Sequence, residues 1–395
     1  MTDKRDVVIV SGVRAPIGSF GGTLKDFSSS ALGARVVKEA ISRSRLDPAQ
    51  IGQLVCGNVI HGEARDMYVS RAIAIDAGMA KESCALTLNR LCGSGLQAIV
   101  SAVNAIQLGD TDAAIGCGVE TMSRAGYMMP AARFGARMGD TKVIDMMVGA
   151  LTDPFSPNHM GITAENIAEQ FKISREDQDA FSLESQKRAV AAIAAGHFKS
   201  QIVPIEIQSR KGTVLFDTDE YPKADASLES LGKLKPAFKK DGTVTAGNAS
   251  GINDGAAAVV LMEAGAAARA GLKPLARLVS YAVAGVDPSI MGTGPIPAVR
   301  LALKRAGLSL KDIDVIESNE AFAVQSLCVS RELGFDPAKV NVNGGAVALG
   351  HPLGATGAIL TVKCLYELER IGKRYGLVTM CIGGGQGIAG IFERL

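Results

Sequence analysis

The chain carries the trace of an internal duplication, which constrains its fold more than any single motif does. LDPAQIGQLVCGNV, starting at Leu46, resembles LSLKDIDVIESNEA, starting at Leu308, and each follows an amphipathic helical pattern. The displacement from Leu46 to Leu308 carries Cys92, in CGSG, onto Gly354, inside GHPLGATG. Both are glycine-rich turns that open a helix, and each helix is followed by a strand and another glycine turn. Two halves related by a pseudo-twofold would bring their equivalent strand-end turns to one central place, where ligands of open α/β sheets bind.

The repeated units are themselves α/β. DVVIV (6–10), QLVCGNVI (53–60), AAIGCG (113–118), AAVVLM (257–262), RLVSYA (277–282), DVIES (314–318) and GLVTMCIGGG (376–385) read as buried strands. Helical patterns cover 31–42, 96–108, 296–306 and 357–371 between several of them. Such alternation predicts sheets covered by helices, and 395 residues exceed one core, so two or three domains are expected.

Residues 121 to about 248 have a different texture. Methionines crowd TMSRAGYMMPAARFGARMGD and IDMMVGAL, polar helical stretches follow, and a basic, proline-containing segment runs from Arg210 to Lys240. This reads as an inserted loop domain that covers a site and makes subunit contacts; a decorative insertion fits the texture as well.

Charge and cysteine usage narrow the function classes. Lys and Arg total 42 against 40 for Asp and Glu, so no global field favours nucleic acid or an anionic membrane. Seven cysteines, an odd number without a C-x-x-C pair or zinc spacing, fit reduced thiols and predict no metal site. MTDKRDVVIVSG enters a β-branched run at once, leaving no room for a leader, and ERL is not a peroxisomal address. Runs such as Gly255 to Met262 are too short to span a bilayer, so a cytoplasmic chain is expected.

Four places carry candidate chemistry. Cys92, in NRLCGSGLQAIVSAV, precedes a predicted helix whose N-terminus would favour the thiolate. Alone it fits a structural thiol better than a nucleophile. His351, in LGHPLGATG, falls three residues from the repeat equivalent of Cys92, and a Cys and His joined across a pseudo-twofold form a nucleophile and its base. Asn319, in IESNEAFA, ends a strand, where its amide can hold a water, donate to an oxyanion, or cap the helix AFAVQSL. Cys381 ends the last predicted strand ahead of Gly383 to Gly385, whose bare N–H groups would stand beside its thiol. A thiol near a backbone donor suits proton transfer at carbon next to a carbonyl. The GGGQG turn is no dinucleotide fingerprint, because too little chain follows it.

NRLCGSG around Cys92, GNASG at 247–251, NEAF at 319–322, GHP at 350–352 and C-x-G-G-G-x-G from Cys381 occur in that order. With these five motifs the chain resembles the thiolases over essentially its whole length, and most closely their bacterial acetyl-CoA acetyltransferase and broad-range β-ketothiolase members. The resemblance implies a thiolase fold, α/β, with two pseudo-twofold-related βαβαβαββ halves in layers and an inserted loop domain. The implied division is 1–120 for the first half, completed by 249–271, then 121–248 for the loop domain, which carries coenzyme A binding and tetramer contacts, and 272–395 for the second half.

The implied reaction is the reversible Claisen condensation of two acetyl-CoA to acetoacetyl-CoA, and thiolysis of 3-ketoacyl-CoA, through an acyl-cysteine. Cys92 matches the acylated residue, His351 its activator, Cys381 the residue that moves the α-proton, and Asn319 the holder of a catalytic water. The backbone N–H groups of Cys92 and Gly383 match one oxyanion hole; His351 with the Asn319-held water matches the other. Ser250, His159, Met160, Leu151, Ala321 and Phe238 match positions along the pantetheine and acyl groups. Where many relatives carry Arg-His after DEY this chain has Pro222, Lys223 and Ala224, and Lys223 supplies charge without planar stacking.

The resemblance further implies coenzyme A as substrate and product, no permanently bound cofactor, a homotetramer built as a dimer of dimers, and no membrane or nucleic-acid partner. Met291 and Gly292 replace an aromatic and a proline linked to potassium in some mitochondrial relatives, so potassium dependence is not expected. The competing readings are a ketosynthase-type condensing enzyme, which lacks a second catalytic cysteine in such a turn, and an inactive lipid-binding protein of the same fold.

Overall fold

A computed structural model describes residues 5–209 and 212–395. The first four residues, and Arg210 and Lys211 at the start of the basic segment, lie outside the described residues.

Among the described residues, nine strands form the body of the central sheet: β1 (Val7–Arg14), β2 (Gln53–Gly57), β3 (Cys84–Leu88), β4 (Ala113–Thr121), β5 (Asn253–Glu263), β6 (Ala276–Gly285), β7 (Val315–Ser318), β8 (Tyr375–Ile382) and β9 (Gln386–Arg394). Their order is β7-β8-β9-β6-β1-β5-β4-β2-β3, with a two-residue strand at Gly18–Ser19 added beside β5. The duplication is visible in the pairing. In the first half the pairs β1–β5 and β5–β4 are antiparallel and the pairs β4–β2 and β2–β3 parallel. In the second half β6, β9 and β8 are antiparallel and β8 and β7 parallel, with a parallel bridge from Ile316 to Val340 beyond them. The halves meet where β1 and β6 touch through Ile9 and Ala276.

Two strands differ from the sequence expectation. CALTL forms β3 at the sheet edge, half-exposed, so it shows no buried apolar run. QGIAGIFER forms β9 directly after the last glycine turn, because a tight turn needs no intervening helix to return an antiparallel neighbour.

Helices cover and divide this sheet: α1 (Ser29–Ser44), α2 (Val69–Asp76), α3 (Ser94–Leu108), α4 (Met160–Phe171), α5 (Arg175–Ala194), α6 (Pro295–Ala306), α7 (Ala323–Leu333) and α8 (Leu353–Arg370). One apolar core unites α3 and α8 with β1, β8 and β9, a second lies under α1 and α2, and a third under α6 and α7. α3 and α8 thus pack against both halves of the sheet, while α1 and α2 cover the first half and α6 and α7 the second from separate cores. Residues 91–108 are long and apolar enough to cross a membrane by composition, yet they form the α3 segment, whose apolar face is buried in that first core.

The α3–α8 contact is where the repeat is most demanding. A Cβ on Gly95 would lie 2.6 Å from the Ala358 nitrogen, and one on Gly357 would lie 2.2 Å from the Leu96 nitrogen. Gly95 and Gly357 are repeat equivalents, and their missing side chains let the two helix starts touch backbone to backbone. That contact sets the turn before α3 beside the turn before α8.

The intervening segment is fastened to both halves. Fully buried Arg14, on β1, holds Asp219 through both guanidinium arms at 2.7 and 2.9 Å and lies over the Phe198 ring at 5.0 Å. On the other side Ser185 and Gln186 of α5 bond Glu320 and the Val347 carbonyl.

Candidate active site

Cys92 stands in a strained elbow. Leu91 has φ 46, a left-handed conformation that costs a branched residue about 1–2 kcal/mol. Asn89 Oδ1 accepts from the Leu91 N–H at 2.8 Å, and the Ser94 hydroxyl donates back to the Leu91 carbonyl at 2.7 Å. Gly93 then caps α3. The half-buried thiol faces a cavity of about 370 Å³.

That cavity gathers Cys92, His351, Gly383, Leu151, His159, Met160, Phe238, Ser250 and Ala321, all singled out from the sequence. Cys381 does not line it; it is fully buried at the end of β8, opposite Gly387 of β9 and near Cys92. Lys223 is not brought in: it is exposed and lies outside the cavity wall, its backbone N–H donating to Gln186 Oε1 and its carbonyl accepting from the Ala226 N–H.

His351 is held through its backbone N–H and its Nδ1. Its backbone N–H donates to Asn253 Oδ1 at 3.0 Å. Thr356 Oγ1 donates to the Pro352 carbonyl at 2.9 Å and so accepts from His351 Nδ1, 2.7 Å away. This puts the imidazole proton on Nδ1 and leaves the Nε2 lone pair facing Asn319 Nδ2 at 3.3 Å. Asn319 does not cap the helix that follows, because α7 starts at Ala323 with Phe322 at its cap. Its Oδ1 is buried without a hydrogen-bond partner among the described residues.

Burial dominates the electrostatics. It pushes the Cys92 thiol up to about 11, against the pull of the Gly383 and Cys92 N–H groups that reach the sulfur. Burial also pushes Cys381 up, with the neighbouring Cys92 adding to it, and holds His351 down at about 4. Desolvation thus opposes the thiolate that the helix N-terminus would favour, and burial shifts both Cys92 and His351 towards their neutral forms.

The outer cavity is a stack of rings. His159 caps α4, accepting from the Gly161 N–H at 3.0 Å through Nδ1. Its ring lies on Phe238 at 4.7 Å, and Phe238 meets Phe322 edge-on at 6.2 Å. Gly161 permits this, since a Cβ there would enter the Phe238 ring. The GNASG loop is tied to NEAF by the Ser250 N–H to the Ala321 carbonyl and the Ala323 N–H to the Asn248 carbonyl.

Residues 7–265 match the thiolase N-terminal domain and residues 272–394 the thiolase C-terminal domain. The chain belongs to the thiolase family. It is 62% identical to the beta-ketothiolase BktB of Cupriavidus necator, over 99% of this chain and 100% of that one. To the acetyl-CoA acetyltransferase of Escherichia coli it is 51% identical over 99% and 100%. Among solved structures, the Bacillus anthracis acetyl-CoA acetyltransferase superposes with a TM-score of 0.97 at 46% identity, covering 99% of each chain. Human mitochondrial 3-ketoacyl-CoA thiolase in complex with CoA gives 0.96 at 46%, over 99% and 98%. This thiolase is accordingly an acyltransferase of the acetyl-CoA acetyltransferase and β-ketothiolase group.

Several residues of the thiolase site escaped the sequence reading. Tyr221, Met122, Ile252 and Leu353 complete the cavity wall. Thr356, Asn253 and Glu120 brace it. Glu120 and Asn253 did leave a signal, as polar residues, each beside one other, at the ends of the otherwise apolar runs AAIGCGVET and NDGAAAVVLM.

Proposed function

We propose that Cys92 is the acyl acceptor of the thiolase reaction and Cys381 the group that moves the α-proton. The observation that carries this is one cavity holding the Cys92 thiol, the Gly383 backbone and His351, whose free Nε2 is set by Thr356. In the first half-reaction Cys92 Sγ attacks the thioester carbonyl of acetyl-CoA while His351 Nε2 takes its proton. The Cys92 and Gly383 N–H groups hold the resulting oxyanion, each such donor lowering the barrier by about 3 kcal/mol. The carbon–sulfur bond to coenzyme A then breaks, and the departing thiolate takes its proton from Cys381, which leaves Cys381 as thiolate and the Cys92 proton on His351 Nε2.

In the second half-reaction Cys381, as thiolate, removes the α-proton of a second acetyl-CoA. The enolate oxygen rests on His351 Nε2–H and on a water held by Asn319, a role supported by the buried, unpartnered Asn319 Oδ1. The enolate carbon attacks the Cys92 acetyl group, the Cys92 thiolate leaves and takes back the proton from His351 Nε2, and acetoacetyl-CoA forms. Thiolysis runs the same steps backwards. Proton transfer from Cys92 accompanies attack, because burial disfavours a free thiolate.

Coenzyme A is the substrate. Its pantetheine arm runs past Ser250, His159, Met160, Leu151, Phe238 and Ala321, a reading supported by the likeness to a thiolase solved with CoA. Lys223 is exposed outside the cavity and serves the phosphate end. The chain divides into a first half at 1–120 completed by 249–271, a loop domain at 121–248 and a second half at 272–395. The enzyme is a cytoplasmic homotetramer with reduced cysteines, serving fatty acid or polyhydroxyalkanoate metabolism. Phe134 and Met138, exposed to 85% and 96%, support a tetramer contact through the loop domain, and the open edge of β3 with exposed Leu86 supports a dimer contact.

The direct test is coenzyme-A-dependent thiolysis of acetoacetyl-CoA, 3-ketohexanoyl-CoA and 3-ketooctanoyl-CoA by the purified chain. Cleavage of acetoacetyl-CoA is expected, and the rates on the longer substrates report how far Met160 and Met291 close the acyl pocket. Turnover of none of the three would contradict the assignment.

A further inference from the structure

The two catalytic turns come from opposite halves, so something must fix the gap between them. Glu120, at the end of β4 and fully buried, ties the loop after β2, which packs with Cys92, to the turn that follows His351. Its Oε1 accepts from Asn58 Nδ2 and the Ile60 N–H, both at 3.0 Å. Its Oε2 accepts from the Val59 N–H at 3.1 Å and from the Gly354 N–H at 2.8 Å. Gly354 lies in the first turn of α8, three residues after His351. Val59 and Ile60 pack in the same apolar cluster as Cys92 and Leu353.

No cation pairs with Glu120 among the described residues, and an unpaired buried carboxylate is costly unless its hydrogen bonds are all made. Here each oxygen receives two donors. Burial pushes the carboxyl up to about 8 against the pull of the Ile60, Gly354 and Val59 N–H groups. Because every partner is a donor, the ionised form is the one the site satisfies. A glutamine could not replace it, since its amide nitrogen would face two donors. The negative charge is also near enough to add to the upward shift of the Cys92 thiol.

We propose that Glu120 is a positioning residue for the reaction: by binding the loop after β2 and the first turn of α8 together, it sets His351 against Cys92. This rests on the roles assigned above to those two residues. A positioning defect lowers the rate of the bound complex and leaves substrate affinity alone.

The test is Glu120→Gln in the full-length chain, read by single-turnover acetylation of Cys92 with acetyl-CoA and by iodoacetamide alkylation across pH. The acetylation rate at saturation should fall about 10- to 100-fold with KM for acetyl-CoA within about two-fold of the parent value. The alkylation midpoint should move to lower pH as the nearby negative charge is lost. A folded variant with unchanged acetylation rate and midpoint, and only a lower melting temperature, would overturn the proposal. If Glu120→Gln does not fold, Asn58→Ala removes one donor and keeps the three backbone ones. It should slow acetylation about three- to ten-fold with KM unchanged, and an unchanged rate would overturn the proposal equally. Parent protein that is never acetylated on Cys92 would overturn the residue roles as well, whereas acetylated parent and equally fast Glu120→Gln would overturn this inference alone.

Discussion

His351 Nδ1 and Thr356 Oγ1 lie 2.7 Å apart, and the threonine hydroxyl is already committed as donor to the Pro352 carbonyl. The pair fixes which imidazole nitrogen is free to accept a proton. Thr356→Val, close in shape, would leave Nδ1–H buried without a partner and release the tautomer. Turnover should fall about 10- to 100-fold, and stability by about 1–3 kcal/mol. Thr356→Ser, which keeps the hydroxyl, should stay near the parent rate. Equal losses in both variants would mean that the methyl packing, and not the hydrogen bond, matters.

The Cys92–His351 pair should behave as two neutral groups. With the thiol at about 11, its alkylation by iodoacetamide should climb steadily through the alkaline range. An ion pair of thiolate and imidazolium would instead give a plateau near neutral pH. His351 is held near 4 in the folded chain, below its unfolded value of about 6.5. The unfolded state therefore binds the extra proton between those values, so its contribution to stability is complete above the upper one and is lost as pH falls towards the lower. Denaturation midpoints measured across this window should slope in the parent and flatten in His351→Gln. Identical slopes would place the titration elsewhere.

Gly357 is the tighter of the two helix contacts, with the Leu96 nitrogen 2.2 Å from where its Cβ would be. Gly357→Ala must push α3 and α8 apart and should cost about 1–3 kcal/mol or more. Urea denaturation would show the shift as a lower midpoint. An unmoved midpoint would mean that the helices do not depend on this backbone contact.

Much of this arrangement was legible in the sequence because the repeat and the strand-end glycines carry geometry. Cys92 and His351, joined by the displacement from Leu46 to Leu308, do share a cavity, and the buried strands lie where apolar runs stand. What the sequence hid follows from tertiary context. Edge strand β3 is half-exposed and shows no continuous run. Asn319 looks like a helix cap but is turned towards His351 instead. Burial, invisible to local pattern, pushes the Cys92 thiol up against what the helix terminus favours. Glu120 and Asn253 became meaningful only once their partners at Gly354 and His351, far along the chain, were known.

The central claim is that the two cysteines have different tasks, Cys92 accepting the acyl group and Cys381 moving the proton. Intact-mass measurement after incubation with acetyl-CoA separates them, using the parent, Cys92→Ser and Cys381→Ser, alongside a thiolysis assay. The parent and Cys381→Ser should each gain one acetyl group, Cys92→Ser none, and neither variant should cleave acetoacetyl-CoA. Equal loss of acetylation in both variants, or acetylation persisting in Cys92→Ser, would contradict the account.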